Sequence, residues 1–313
     1  MSITVIKPGL QTTIQSRPRT GMRHLGVAAG GAADPLSLAL ANRLLGNAWD
    51  ASALEATLLG PTLRFGADCT IAITGAAAAA TLNGAPVSFH ETIFPRAGDE
   101  LVVGATEKGA RVYIGVAGGI RADEILGSTS TYLLAALGGH HGRALEEGDI
   151  LPLSPKQIDR LQTPEEFIPP MSSSWALRAC ESFEAPELSA AAHASFFGIN
   201  WTVGRRADRM GLQLDGVTLE VSTSGRMPSA PVFPGTVQCP EGGTPYILSV
   251  DAGTIGGYPR IAQVARLDRH LLGQLRPGDH VRFLLREPQA AIDELRDKIE
   301  YWRGWLPDIE QVI

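Results

Sequence analysis

Three Gly-Asp pairs, each followed directly by a short apolar run, constrain this chain more than any other pattern in it. They end the segments Arg96-Ala-Gly-Asp99, Glu147-Gly-Asp149 and Arg276-Pro-Gly-Asp279. Glycine and aspartate suit tight turns, so each pair predicts a turn that leads into a new strand. The 35 glycines and 21 prolines among 313 residues also favour many turns and short strands over long helices. We therefore predict a mostly β protein with few helices.

Short apolar or alternating runs bounded by glycine and proline support this prediction. The predicted strands are Ile3–Ile6, Thr70–Thr74, Glu100–Val103, Arg111–Val116, Trp175–Ala179, Asn200–Val203, Tyr246–Val250 and His280–Leu285. Two segments have helical patterns, Pro35–Leu45 and Pro288–Trp302. The segment Leu151–Pro170 carries five prolines and little hydrophobic periodicity, which is typical of a connection. We predict two β-rich domains, an N-terminal half over 1–155 and a C-terminal half over 156–313.

Charge and hydrophobicity exclude several classes of protein. The formal net charge is -6 and there is no basic run, which argues against nucleic-acid binding. The start Met1–Pro8 lacks the pattern of an export signal, and the most apolar segment, Ile71–Ala80, is too short to span a bilayer. We therefore expect a cytoplasmic protein without a membrane segment. Cys69, Cys180 and Cys239 lie far apart without CxxC spacing, so neither disulfides nor zinc are predicted.

Several catalytic and cofactor motifs are missing from the sequence. It contains neither a phosphate-binding Gly-x-x-x-x-Gly-Lys-[Ser/Thr] segment nor a Gly-x-Gly-x-x-Gly turn. There is no Gly-x-Ser-x-Gly elbow and no Met-Lys-Met setting for biotin. His140 and His141 are adjacent, and neighbours on an extended chain point to opposite faces, so no metal site is predicted. We expect this chain to bind no cofactor itself; if ATP or biotin is used, another chain carries it.

The glycine-rich loop Gly253–Ile261 is the best candidate for a binding site. Its paired glycines allow another molecule to approach the backbone closely, and its proline holds the preceding residue in an extended conformation. The arginine is a planar cation that can hold a carboxylate in two places. The groups that this loop offers to a ligand are Thr254, Gly256, Gly257, Tyr258 and Arg260. From these residues alone, a hairpin corner without a ligand is an equal alternative.

Two further segments carry candidate residues. Asp34 precedes Pro35 at a helix start, which predicts an N-cap, and a role in a site is the alternative. Arg23 and His24 lie in the approach to that helix, where they could pair with Asp34 or with a bound anion. Gln238 places an amide between two proline turns.

Ordered blocks along nearly the whole chain resemble those of a known family. They include Lys7-Pro-Gly-Leu-Gln-Thr-Thr13, Gly21-Met-Arg-His-Leu-Gly-Val27, Gly31-Ala-Ala-Asp-Pro35, Val116-Ala-Gly-Gly-Ile120, Leu126-Gly-Ser-Thr-Ser-Thr131, Asp208-Arg-Met-Gly211, Pro234-Gly-Thr-Val-Gln238, Gly256-Gly-Tyr-Pro-Arg-Ile-Ala262 and Gly273-Gln-Leu-Arg-Pro-Gly-Asp279. In this order they resemble the carboxyltransferase family, whose members are called allophanate hydrolase subunit 2 or form the C component of 5-oxoprolinase. The resemblance implies β-rich domains with cyclophilin-like barrel character.

The resemblance also implies a function shared with other chains. Members work with a smaller companion subunit, of the type of the 5-oxoprolinase B component or allophanate hydrolase subunit 1, and in some cases with a third subunit. The leading expectation is an ATP-dependent complex that opens 5-oxoproline to glutamate. Biotin-dependent carboxyl transfer to urea or a similar small amide is one alternative, and a regulatory protein acting with an inhibitory companion is another.

Site residues follow from the matched blocks. We expect Asp34, Tyr258 and Arg260 to act in catalysis. The expected substrate-binding residues are Arg23, His24, Gln238, Thr254, Gly256 and Gly257. No metal ligands are expected.

Overall fold

A computed structural model describes residues 1–154, 156–222 and 227–313 and shows a mostly β protein, as predicted. Pro155, the last residue of the predicted N-terminal half, lies outside the described residues. The strands are β1 Ser2–Lys7, β2 Gln11–Gln15, β3 Ala53–Thr57, β4 Thr62–Phe65, β5 Ile71–Leu82, β6 Ala85–Pro86, β7 Thr92–Ile93, β8 Glu100–Val116, β9 Ile150–Pro152, β10 Ser174–Glu181, β11 Trp201–Ala207, β12 Gly211–Asp215, β13 Ala230–Pro231, β14 Thr236–Gln238, β15 Tyr246–Leu248, β16 Ile255–Gly256, β17 Arg260–Val264 and β18 His280–Leu285.

Helices are short and few beside the strands. The α-helices are α1 Pro35–Leu44, α2 Ala190–Gly198, α3 Pro288–Arg303 and α4 Ile309–Val312. Segments of 3₁₀ helix cover Arg23–Leu25, Leu133–Ala135, Glu165–Phe167, Ala185–Glu187 and Arg266–Gln274. The two predicted helices are confirmed, each to within one residue at its C-terminal end. None of the helices in the described part of the chain has the length and hydrophobicity to cross a membrane.

Internal contacts divide the chain into two units that are not contiguous in sequence. Unit 1 consists of Met1–Arg19, Gly30–Met171 and Trp302–Val312. Unit 2 consists of Thr20–Ala29, Ser172–Tyr301 and Ile313. The division of the carboxyltransferase region at residue 155 stays a prediction.

Unit 1 is built on a nine-stranded sheet. Its main path has the order β2-β3-β8-β4-β1-β9, and β5 pairs with β6, β7 and β8. Alternation buries Ile3 and Val5 of β1 in an apolar core with β4, β5 and β8. Helix α1 packs on β5 and β8, and its Leu38 forms a buried cluster with Tyr113 of β8. The start of α1 is thereby fixed against the sheet.

Unit 2 contains a closed barrel of seven strands. The order around the barrel is β10-β17-β14-β15-β12-β11-β18, and parallel pairing of β10 with β18 closes it. Trp201 and Phe283 are buried, and Phe196 of α2 stacks on Phe283 with ring centroids 4.5 Å apart. Helix α2 therefore packs against strand β18 of the barrel. The closed barrel confirms the barrel character that the family resemblance implies.

The three Gly-Asp turns lead into strands as predicted. Asp99 precedes β8, Asp149 precedes β9 and Asp279 precedes β18. Each carboxylate accepts a hydrogen bond from the backbone N–H three residues earlier, at 2.7, 2.8 and 3.2 Å respectively. The glycine before each aspartate has a φ of 93°, 87° or 94°, a conformation that a side chain would disfavour. The dipeptide thus has a structural role at all three positions.

Candidate functional site

An open pocket of about 430 Å³ lies in unit 2, where connections between barrel strands meet. Arg206 lines it from the end of β11, and Asp208 from the connection between β11 and β12. Gln238 and Tyr246 line it from β14 and β15. Tyr258 lines it from the glycine-rich loop. This volume and the mixture of aromatic and polar side chains suit a small polar ligand.

The pocket brings together two residues predicted from separate motifs. Gln238 is only 6% exposed, and its Nε2 donates a hydrogen bond to the carbonyl of Tyr258 at 3.2 Å. The Tyr258 side chain is 56% exposed. Within the described part of the chain, neither Oε1 of Gln238 nor the Tyr258 hydroxyl has a hydrogen-bond partner. An amide acceptor and a phenolic donor are therefore available to a ligand at this wall.

Gly256 makes this arrangement possible because Gln238 packs directly on its Cα. A Cβ at position 256 would lie 2.5 Å from the Gln238 Nε2. Gly256 belongs to β16, which pairs with β13 in a two-stranded ribbon. A Cβ at Gly257 would lie 3.3 Å from the carbonyl oxygen of Met227. The paired glycines thus serve the internal packing of the loop.

We expect Gly256→Ala to lower the free energy of unfolding by about 1–3 kcal/mol, because the added methyl group displaces the Gln238 amide. Urea denaturation followed by tryptophan fluorescence measures this change. Gly242→Ala is the matched control, since a Cβ at that position meets nothing within 4 Å. Equal destabilisation by the two substitutions would contradict the packing argument.

Arg260 forms an ion pair with Glu184, a residue that the sequence analysis did not single out. Its Nε and Nη2 donate to the two carboxylate oxygens at 2.7 and 2.6 Å, and its Nη1 donates to the carbonyl of Pro231 at 3.1 Å. Hydrogen bonding by Arg260 lowers the pKa of Glu184. Arg260 would therefore have to exchange Glu184 for a substrate anion, and its catalytic role stays a prediction.

Arg23 holds backbone carbonyls of unit 2. Its Nη2 donates to the carbonyls of Val232 and, at 3.4 Å, Thr254, and its guanidinium lies 4.8 Å from the Phe233 ring centroid. Burial lowers the pKa of Arg23. His24 is exposed on the same 3₁₀ segment. Arg23 thus joins two segments beside the predicted loop, and substrate binding by Arg23, His24 and Thr254 stays a prediction.

Asp34 belongs to unit 1, unlike the other candidates, and it is confirmed as the N-cap of α1. Its carboxylate accepts hydrogen bonds from the Ser37 backbone N–H at 3.1 Å and the Ser37 hydroxyl at 2.5 Å. Its own N–H donates to the Tyr113 hydroxyl at 2.8 Å, which in turn donates to Glu55 at 2.7 Å. Burial raises the pKa of Tyr113 well above its ordinary value, so the phenol stays protonated. Catalysis by Asp34 stays a prediction.

A buried ion pair fixes the β11–β12 turn, which directly follows Arg206 of β11. Arg209 Nε and Nη2 donate to the Asp251 carboxylate at 2.7 and 3.0 Å, and the two side chains are only 5% and 4% exposed. The Asp251 N–H also donates to the Arg209 carbonyl at 2.8 Å. These contacts join the β11–β12 turn to Asp251, two residues before the glycine-rich loop. The Asp208-Arg-Met-Gly211 block was the signal in the sequence, although its partner Asp251 was not recognised.

The described residues contain no group of three or more His, Cys, Asp or Glu side chains placed to hold a metal ion. The polar side chains of the pocket are instead two tyrosine hydroxyls, the Gln238 amide, the Asp208 carboxylate and the Arg206 guanidinium. Together, the closed barrel and this pocket define a protein suited to binding a small polar molecule.

The chain belongs to the carboxyltransferase domain family, whose model of subdomains A and B matches residues 25–285. It is 34% identical over 300 residues to the C component of 5-oxoprolinase from Escherichia coli, covering 96% of each chain. It is 35% identical to the C component of 5-oxoprolinase from Haemophilus influenzae, covering 99% of this chain and 98% of that one. The family named from the sequence blocks is confirmed.

Solved structures include relatives of the same fold. The urea carboxylase of Kluyveromyces lactis matches with a TM-score of 0.89 and 31% identity, over 95% of this chain and 29% of that one. The urea amidolyase of K. lactis matches with a TM-score of 0.89 and 30% identity, over 95% of this chain and 20% of that one. This chain is therefore similar to one component of 5-oxoprolinase and to one region of two larger urea enzymes.

Proposed function

We propose that this chain is one subunit of an ATP-dependent 5-oxoprolinase that opens 5-oxoproline to glutamate. The observation that carries the proposal is the match to two relatives, each named as the C component of 5-oxoprolinase, over 96% and 98% of their length. The urea amidolyase of Saccharomyces cerevisiae is matched over only 17% of its length. The polar pocket of unit 2 supports the proposal because a small lactam needs such a site.

The pocket offers groups that suit a lactam. The Gln238 Oε1 can accept a hydrogen bond from the ring N–H, and the Tyr258 hydroxyl can donate one to the ring carbonyl. Donation to an oxygen that gains negative charge stabilises the transition state of attack on the carbonyl carbon. The C–N bond then breaks, the carbon gains the oxygen of water as a carboxylate, and the nitrogen becomes the amine of glutamate. In this proposal, companion subunits bind ATP and complete the site.

A second candidate function is biotin-dependent carboxyl transfer to urea. The TM-score of 0.89 with the urea carboxylase of K. lactis favours it. Urea offers the same amide groups to Gln238 and Tyr258 as a lactam does. A biotin-bearing partner would then deliver the carboxyl group.

Reconstitution with the companion subunits tests both functions. We expect the complete set to form glutamate from 5-oxoproline with ATP hydrolysis, and the isolated chain to form none. Glutamate formation by the isolated chain would contradict a shared site. Turnover of urea with a biotin-bearing partner, without turnover of 5-oxoproline, would establish the second candidate instead.

We expect Tyr258→Phe to reduce the kcat of the complex for 5-oxoproline by about 100-fold, because it removes one donor to the reacting carbonyl. The steady-state rate of glutamate formation measures this effect. Tyr301→Phe on α3, a half-exposed position outside the pocket, is the matched control and should change kcat by less than about 2-fold. Equal rates for the two variants would exclude Tyr258 from the reaction.

A further inference from the structure

The pocket contains a cation that no sequence motif assigned to the site. Arg206 lies near the end of β11 and lines the pocket, whereas its neighbour Arg205 does not. Both lie in the irregular part of β11, where its register with β12 shifts between Val203 and Ala207. Arg206 is the only Lys or Arg among the described residues that line the pocket.

The other arginines around the pocket already have partners. Arg209 is paired with Asp251, Arg260 with Glu184, and Arg23 with backbone carbonyls. By contrast, Arg206 forms neither an ion pair nor a hydrogen bond within the described ranges. A guanidinium without an internal partner at a pocket wall is available to an anion.

The acid nearest to Arg206 in sequence has a different role. Asp208 also lines the pocket, but its Oδ1 accepts hydrogen bonds from the backbone N–H groups of Met210 and Gly211 at 2.7 and 3.1 Å. This contact shapes the turn between β11 and β12. Asp208 makes no ion pair with Arg206 in the part of the chain that the structure describes. The charge of Arg206 is therefore not neutralised from within.

We propose that Arg206 binds the carboxylate of the substrate, and that it selects a carboxylated lactam over an uncharged one. This inference rests on the proposed function, because 5-oxoproline carries one carboxylate beside its lactam and urea carries none. Gln238 and Tyr258 then recognise the amide while Arg206 recognises the acid. Arginine suits this task because its planar fork matches the two oxygens of a carboxylate.

Binding to the chain, alone and assembled with its companion subunits, tests the assignment without the chemical step. Isothermal titration with 5-oxoproline is compared with 2-pyrrolidone, which has the same lactam ring without the carboxylate. We expect Arg206→Met to weaken 5-oxoproline binding at least about 10-fold, as loss of a charged hydrogen bond does. Arg205→Met, the matched control at the neighbouring exposed arginine that does not line the pocket, should change it less than about 2-fold. Both variants should bind 2-pyrrolidone as the wild type does.

Three outcomes of the titrations with the two lactams would overturn the assignment. The first is that Arg206→Met and Arg205→Met bind 5-oxoproline equally well. The second is that Arg206→Met weakens 2-pyrrolidone binding as much as it weakens 5-oxoproline binding. The third is that the wild-type protein, alone and assembled, shows no saturable binding of 5-oxoproline. Inorganic phosphate is titrated in parallel, and a stronger dependence of phosphate than of 5-oxoproline on Arg206 would also overturn it. Glutamate formation by the complex is measured separately. Its absence beside Arg206-dependent binding would reject the 5-oxoprolinase function alone.

Discussion

Arg209→Met should lower the free energy of unfolding of unit 2 by about 3–5 kcal/mol, because it leaves the buried Asp251 carboxylate without its partner. Both carboxylate oxygens accept hydrogen bonds from Arg209, and both side chains are almost inaccessible to water. Removing one member of such a pair lowers the free energy of unfolding by more than the intact pair contributes to it, since the remaining charge is neither solvated nor neutralised. Chemical denaturation followed by the fluorescence of Trp175 and Trp201 measures the loss.

The control for this variant is an exposed ion pair on α3. Arg296 lies 2.9 Å from Asp293, with side chains 71% and 56% exposed, so Arg296→Met should cost less than about 1 kcal/mol. Arg209→Met should also weaken ligand binding, because the ion pair joins the turn after Arg206 to the segment that leads into the loop of Tyr258. Destabilisation no greater than that of Arg296→Met would show that the buried pair is not required for stability.

Glu55→Gln should destabilise unit 1 by about 3 kcal/mol, because Arg111 loses its carboxylate in a buried environment. Glu55 lies 3.4 Å from Arg111, and its Oε2 also accepts hydrogen bonds from the Tyr113 hydroxyl and the Ala33 N–H at 2.7 and 2.8 Å. The substitution preserves shape, so the change reports the charge and its hydrogen bonds rather than a cavity. Thermal or urea unfolding measures the difference from the wild type.

Glu100→Gln provides the same chemical change at an exposed position. Glu100 pairs with Arg64 at 3.2 Å on the surface of unit 1, where water screens both charges. We expect this control to cost less than about 1 kcal/mol. If Glu55→Gln is no more destabilising than Glu100→Gln, the buried network does not hold the start of α1 as inferred.

Features set by local chemistry could be predicted from the sequence. The Gly-Asp turns and the Asp34 N-cap depend on neighbouring residues, and both occur where they were predicted. The strand β8 was instead predicted as two runs, Glu100–Val103 and Arg111–Val116, and the structure joins them. The intervening glycines and charges break the apolar pattern, but pairing with β5 continues there through bulges. That pairing is between distant residues and is not visible in a local pattern.

The candidate site likewise combines features that neighbouring residues determine with contacts between residues that are distant in sequence. Glycine and proline patterns identified the loop, and the barrel register places Gln238 of β14 opposite Arg260 of β17. The partner of Arg260 could not be read from the sequence, because Glu184 is 76 residues away. Arg206 was missed because charged runs are usually solvated, and only the fold shows which of two adjacent arginines lines a pocket.

The parallel closure of the barrel has a consequence for the order of folding. Ser174 of β10 pairs with His280 of β18, so one of the first strands of the barrel to be synthesised pairs with the last. Until β18 has left the ribosome, β10 has an unpaired edge that can pair with another chain. Contacts over such sequence distances form slowly, since a long loop must close first. We therefore expect ribosome-stalled chains ending before His280 to aggregate more readily than those that include Leu285.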